Sequence, residues 1–483
     1  MKPSEINRHK TALKRYNFSR PVNIAISDGL IDQSKAFFDY GCGHGDDIKL
    51  LEKIGVHCSG WDPEFRPSSP KQPADIVNLG YVINVIEDQK ERAITLKSAW
   101  ELAKDLLVVS AQLYIDAKTA NYSPFKDGFL TKRGTFQKYF EQQELRQWIN
   151  STLGESPVPA GPGIFYVFRD PAVKEAFVSS RYRRRAAAPR LRKSDELFNR
   201  YNDILQPLID FITARGRVPD PKELNVAPTI IENIGSIKQA FRIIRIVTDE
   251  IHWDQIAEER SQDLLIYLAL ACFDGRKKFS ELPQALQLDV RAFFSTYKRA
   301  CNLADTLLFA CGNREKINAA CKESSVGKVT PSALYVHISA LDGLSPLLRA
   351  YEGCGRSYLG IVEGVNIIKL HRLKPKISYL SYPDFETKPH PALASSLSVN
   401  LQTFRIKTYQ YKTSVNPPIL HRKELFISPE HNLHARFARL TRSEERTGLF
   451  DHTSNIGRMN EWNDLLAEKG VYLRGHRLLR QKK

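Results

Sequence analysis

Residues 38–47 read FDYGCGHGDD: Asp39 stands two places before three alternating glycines, Gly41, Gly43 and Gly45, directly after a short apolar stretch. Glycines at this spacing let a turn approach a ligand more closely than any residue with a Cβ allows. The spacing excludes one common ligand and fits another poorly. The phosphate cradle GxxxxGK[ST] is absent. The dinucleotide pattern GxGxxG needs a third glycine at 46, where the chain has Asp46. Further on, Asp62 in GWDP lies seventeen residues beyond Gly45. That is close to the interval of roughly 20 at which an acid accepts hydrogen bonds from ribose hydroxyls. The set suits a ribose-bearing ligand better than a phosphate.

The run Asp39-x-Gly41-x-Gly43-x-Gly45, with a strand before it, a helix after it and Asp62 beyond, resembles the S-adenosylmethionine loop of class I methyltransferases. The resemblance implies S-adenosylmethionine as cofactor, with the glycines beside its methionine part. It implies Asp39 at the ammonium group, directly or through water, and Asp62 at the ribose. One interval departs from the pattern. Only Pro63–Ala74 separates Asp62 from Asp75, and it holds Pro63, Pro67, Pro70 and Pro73. The usual helix and strand do not fit, which leaves the adenine contact and the strand count open.

ADIVNLGYVINVIED (74–88) resembles the segment whose end faces the methyl donor, and Asn78, Tyr81 and Asn84 interrupt its apolar run. Asn78 is a candidate for the cofactor or acceptor pocket, or for a strand-end amide. No D/N-P-P-aromatic and no Pro-Cys follows. NPPI at 416–419 lacks the stacking aromatic and reads as a turn. The catalytic residue and the acceptor atom are therefore not assigned.

These residues need a scaffold, and the surrounding pattern supplies one. AFFDY (36–40), HCSGWD (57–62), ADIVNLGYVINVI (74–86), LLVVSAQL (106–113) and GIFYVFRD (163–170) read as strands. DDIKLLEKIG, QKERAITLKSAWELAKD (89–105) and GTFQKYFEQQELRQWINSTLG (134–154) read as helices. Alternation of the two predicts a Rossmann-like parallel sheet with helices on both faces. In TKRGTFQKYFEQQEL (131–145) Lys132, Arg133 and Lys138 neighbour Phe136, Tyr139 and Phe140. That mixture suits nucleic acid, although an aromatic core stripe is the plainer reading.

The 483 residues suffice for several domains. We divide them into a methyltransferase-like domain (1–176), a basic linker (177–194), a helical region (195–325) and a basic α+β domain (326–483). The net charge of +17 is uneven: residues 1–176 hold 23 Lys+Arg against 22 Asp+Glu, and the remainder 48 against 32. A polyanion, nucleic acid first, is the partner this imbalance suits. Arg183, Arg184 and Arg185 in RYRRRAAAPRLRK form either a phosphate-binding strap or a solvated hinge. KLHRLKPK places Lys374 and Lys376 on a hairpin beside His371. In TFRIKTYQYK, Arg405, Lys407 and Tyr409 share one strand face, able to pair phosphates and stack bases, or to protect a sheet edge. HRKE (421–424) reads as a solvated turn.

Seven cysteines without a CxxC pair predict reduced thiols in a cytoplasmic protein, and the histidine spacings predict no metal. No apolar run predicts a membrane helix. GYVINVIED, RGTFQKYFEQQEL, VGKVTPSALYVHISALD, IKLHRLKPKISYLSYPDF and NPPILHRKE are similar to sequence blocks of the DNA phosphorothioation-associated methyltransferase family, over nearly the whole chain. That similarity implies a methyltransferase in the company of bacterial DNA sulfur-modification proteins; it supplies no acceptor, and DNA is the substrate we expect. Two rival readings stand: a non-catalytic DNA-binding partner that senses S-adenosylmethionine, and a methyltransferase of RNA or a small molecule.

Overall fold

Short, nearly continuous apolar runs form the first sheet because helices cover both its faces. The computed structural model describes residues 6–117, 122–189, 198, 200–248, 250–451 and 456–480. In chain order its first unit comprises α1 (Arg20–Ser27), β1 (Phe37–Tyr40), α2 (Asp46–Lys53), β2 (Cys58–Trp61), β3 (Ala74–Gly80), α3 (Gln89–Leu102) and β4 (Ala103–Ser110). Next come β5 (Ser123–Phe125), β6 (Gly128–Leu130), β7 (Phe136–Gln137), α4 (Gln142–Leu153), β8 (Val158–Gly161), β9 (Ile164–Phe168) and α5 (Pro171–Ser180). The main sheet has the order β2-β1-β3-β4-β9-β8. Its first four strands run parallel, and β9 and β8 close it as an antiparallel hairpin. Alternate residues divide between two cores: Phe38, Val77 and Leu107 on one face, Phe37, Ile76 and Val108 on the other. This is a mixed sheet of Rossmann-like type, and it ends at β2 because residues 63–73 form turns and no strand.

Two local expectations change. The helix expected over 134–154 begins only at Gln142, where Glu141 and Glu144 form a reciprocal capping box. Upstream, β7 joins β5 and β6 in a small sheet, and Phe136, Tyr139 and Phe140 are buried. Lys138 is buried too and pairs with Glu144 at 2.7 Å. These aromatics are core. The strand β8 carries Pro159, which is tolerated because β8 is an edge strand.

The middle region is helical, as its 3.6-residue periodicity predicts. A second sheet follows, of β10 (Lys328–Val329), β11 (Ala333–His337), β12 (Ile367–His371), β13 (Lys376–Ser381), β14 (Ser395–Asn400) and β15 (Ile406–Gln410), antiparallel in that order. Leu334, Ile368, Ile377 and Val399 on one face pack against the helix Pro346–Leu359 in a shared core. After that helix Gly360, at φ +73°, meets β8: a Cβ there would lie 2.3 Å from the Ala160 carbonyl carbon. Ile361 N–H donates to Ala160 O at 2.8 Å, which covers the β8 edge. The two sheets are thus fastened together.

Residues 181–185 are pinned rather than free. The Arg184 guanidinium lies 3.2 Å from Asp263, and its backbone N–H donates to the same carboxylate at 3.0 Å. Asp263 also pairs with Arg260 (2.9 Å) and Arg349 (2.6 Å). Of the strap, residues 190–193 lie outside the described residues. HRKE is not a solvated turn: His421, Lys423 and Glu424 are buried. Lys423 Nζ donates to Phe385 O at 2.6 Å and sits 2.9 Å from His476 Nε2, and Glu424 accepts from Thr441 at 2.8 Å. The helix His434–Arg446 and the hairpin 471–480 fold over this segment, a long-range cover that four residues cannot announce. Among the described residues no helix is long and apolar enough to cross a membrane.

Candidate functional site

The parallel strands place their C-terminal ends side by side, the position at which open α/β sheets hold ligands. Asp39 of β1 is the register partner of Asn78 of β3, and Asn78 Nδ2 donates to Asp39 Oδ1 at 2.9 Å. Both side chains are buried. Burial, then the nearby Asp47 carboxylate, pushes the Asp39 carboxyl up to about 7. Asn78 Oδ1 is buried with no hydrogen-bond partner. A buried acceptor without a partner calls for a hydrogen-bond donor.

The glycines justify their residue type. Gly41, Gly43 and Gly45 have φ of +85°, +51° and +70°, a region costly for any side chain. A Cβ on Gly41 would fall 2.5 Å from Val82. Asp62, just past β2, fastens the loop: Gly43 N–H donates to its Oδ2 at 2.9 Å, and Glu64 and Phe65 N–H donate to Oδ1 at 3.0 Å. Oδ2 retains a lone pair for a hydroxyl.

The start of α2 is ill suited to phosphate. Asp46 and Asp47 occupy its first turn, where carboxylates complement the helix dipole and would repel a pyrophosphate. They accept instead from the Arg15 and Ser19 N–H groups, at 2.8 and 2.7 Å. The N-terminal segment thereby crosses the loop. Arg8 is held by Glu87 and Glu91, and Ala12 lies 3.3 Å from where a Gly43 Cβ would be. This cover was missed in the sequence, where the first twenty residues carry charge but no apolar periodicity. Only the acids of GDD hinted at it.

Two more residues complete the surroundings. Arg66 reaches over Gly45, within 2.4 Å of a Cβ built there, and Phe65 meets His44 at 4.3 Å between ring centroids. The proline-rich interval therefore returns to the loop in place of a strand. Tyr81, directly after β3, has φ +59°, its N–H donating to Ser110 O at 3.0 Å. A bulky residue in this conformation stores strain of about 1–3 kcal/mol, a pattern that clusters at functional sites.

The cationic residues gather elsewhere. Lys369, Ser378, Ser398 and Lys407 form one row across β12 to β15, with Tyr335 beside Lys369 on β11. Lys376 is paired with Asn400 on the same face, next to Arg405. Burial and then Lys369, Lys407 and Lys374 hold the Lys376 ammonium below its ordinary range. Tyr409 is exposed on this face, opposite Ser396. Arg183 and Arg185 are exposed, whereas Arg184 is committed to Asp263. The structure thus separates a glycine-loop site on the first sheet from a basic face on the second. β15 lies against Tyr114–Asp116, the turn that follows β4.

No family model matches the chain, and no curated relative does. Solved structures similar to part of it include a 1,6-didemethyltoxoflavin-N1-methyltransferase from Burkholderia thailandensis, with S-adenosylhomocysteine bound. It is 11% identical, over 34% of this chain and 79% of that one, at a TM-score of 0.22. An O-methyltransferase family protein of the same organism is 12% identical over 31% and 55%, at 0.21. An O-methyltransferase family 2 protein from Planctomyces limnophilus, in complex with apigenin, is 13% identical over 34% and 65%, at 0.20.

Proposed function

We propose that the chain is an S-adenosylmethionine-dependent methyltransferase that acts on nucleic acid, DNA before RNA, beside bacterial DNA sulfur-modification proteins. The observation that carries the cofactor reading is the buried Asp39–Asn78 pair, with its orphaned Asn78 Oδ1, beside three left-handed glycines. A methionine ammonium supplies the cation that this pair lacks. Asp62 keeps the loop in shape and offers Oδ2 to a ribose hydroxyl, and Asp46 and Asp47 disfavour phosphate-bearing rivals. When bound, the cofactor supplies an electrophilic methyl group. The chain's own part is to fix its orientation, to exclude water under the segment around Ala12, and to present the acceptor near Tyr81.

The polymer reading rests on the charge imbalance and on the row of Lys369 and Lys407 with Lys376, Arg405 and Tyr409. Contact between β15 and the turn after β4 favours delivery from the basic face toward the methyl donor. The sulfur-modification setting rests on the resemblance of the sequence blocks alone. The test has two steps. Isothermal titration with S-adenosylmethionine and S-adenosylhomocysteine, on wild type and Gly43→Val, should give binding that the variant loses while its circular dichroism is kept. Tritiated methyl transfer is then measured on phosphorothioate-modified DNA, unmodified DNA and RNA, with DNA expected to be labelled. Binding without transfer to any polymer would reassign the chain as a cofactor-sensing partner. Absent binding would overturn the site.

A further inference from the structure

A cavity lies far along the chain from the glycine loop, between the helical region and the second sheet. Its volume is about 250 Å³. An apolar cavity of about 150 Å³ already holds a benzene ring, so this one has room for a larger planar ring. The turn between β12 and β13 and the turn between β14 and β15 form one wall; the helices Tyr297–Cys311 and Pro346–Leu359 form the other. Leu308, Ile317, Tyr351 and Leu401 make the interior apolar.

Three features at the mouth point to a charged aromatic ligand. Phe404 is held at φ +54°, a strained conformation for an aromatic residue, and stays half exposed beside Tyr358 at 5.2 Å between ring centroids. Arg314 and Lys374 are exposed lining residues with no ion-pair partner among the described residues. The basic face continues into the mouth: His371, which lines the cavity, contacts Ser378 at 3.0 Å, in the same row as Lys369 and Lys407. Apolar walls for a ring, two unpaired cations for an anionic group, and a cationic path leading in are the complement of a nucleotide.

We propose that this cavity is a nucleotide pocket, taking a base among its apolar walls and the phosphate on Arg314 and Lys374. The proposal deepens the reading that the second sheet meets nucleic acid and rests on it. The nucleotide can belong to a strand lying on the basic face or be free, and the two sources are separable.

Cys354 lies in the cavity wall and gives a local readout. With full-length protein, alkylation of Cys354 by N-ethylmaleimide is followed by peptide mapping, with exposed Cys272 as internal control. Deoxyadenosine monophosphate, at tenfold its dissociation constant, should slow Cys354 labelling roughly tenfold and leave Cys272 unchanged. Gly312→Leu should abolish this protection by filling the cavity; a Cβ there meets nothing closer than Phe309 O at 3.4 Å. Arg314→Ala with Lys374→Ala should weaken it, and Lys97→Ala, at an exposed lysine of α3, should not. In a second arm, a single-stranded oligonucleotide with 2-aminopurine should brighten on wild type and stay dim on Gly312→Leu at saturation. Protection by the mononucleotide without brightening identifies a free nucleotide as the ligand. Equal protection by deoxyribose 5-phosphate, which has no base, overturns the proposal. So does a silent cavity in a protein that binds oligonucleotides with normal salt dependence. Protection in a protein that binds no polymer leaves the pocket standing and removes the nucleic-acid reading of the sheet.

Discussion

Asp39 carries the strongest residue-scale consequence. Its carboxyl titrates near 7 in the folded chain because burial and then Asp47 oppose ionisation. A folded pKa above the unfolded value means the native state holds a proton that the unfolded chain has already released. Its contribution to stability is therefore complete below about pH 4 and is lost as pH rises through 7. Asp39→Asn can still accept from Asn78, so it should resist urea better than wild type at pH 8 and equally at pH 4. It should bind S-adenosylmethionine weakly at every pH, whereas wild-type affinity should fall as pH drops below 7. A wild-type affinity flat from pH 5.5 to 8 would remove Asp39 from the ammonium. Tyr81 gives a second test. Tyr81→Gly relieves left-handed strain of about 1–3 kcal/mol, so its melting temperature should not fall. Methyl transfer should drop while cofactor affinity holds; unchanged transfer would make the strain incidental.

At the scale of elements, Asp263 joins three segments that sequence distance keeps apart: Arg184 of the strap, Arg260 of the long helix Glu250–Leu270, and Arg349 of the helix Pro346–Leu359. Its carboxylate is buried, and three guanidinium groups depend on it. Removing one partner of a buried ion pair leaves charge uncompensated and costs about 3–5 kcal/mol. Asp263→Ala should lower the urea midpoint accordingly, and the strap should become protease-sensitive near Arg184. An intact strap in that variant would show that other contacts hold it. The same anchoring takes Arg184 out of the strap's free cations and leaves Arg183 and Arg185 exposed.

On the scale of the whole molecule, charge and packing lead to one experiment. The cations of residues 177–483 should make nucleic-acid binding electrostatic. If about five phosphates are met, log affinity on duplex DNA should fall with log salt at a slope near −4 to −5. Arg405→Ala with Lys407→Ala should flatten that slope by about two contacts, roughly 1.8. Tyr409→Ala should weaken single strands more than duplex, since stacking needs an unpaired base. Full-length protein is the right material for the salt series, because Gly360 and Ile361 seal the edge of β8 and a cut chain would expose it. A slope unchanged in the double variant would locate the phosphates away from this face.

The sequence by itself determined the glycine loop, the alternation of strands and helices around it, and the lysine-tyrosine face of β15. Each is a local signal: a φ that only glycine adopts cheaply, a period of 3.6 or 2, a strand whose neighbours alternate. It also determined that the usual helix and strand do not fit residues 63–73, since four prolines leave too few donors. Tertiary structure decided the rest. It brought Asn78 onto Asp39, laid residues 12–19 over the loop, and turned Arg66 back to Gly45. It buried Lys423 and committed Arg184 to an acid seventy-nine positions away. Such outcomes depend on which distant segment covers a charge. Burial is a property of neighbours in space, and no residue carries it alone.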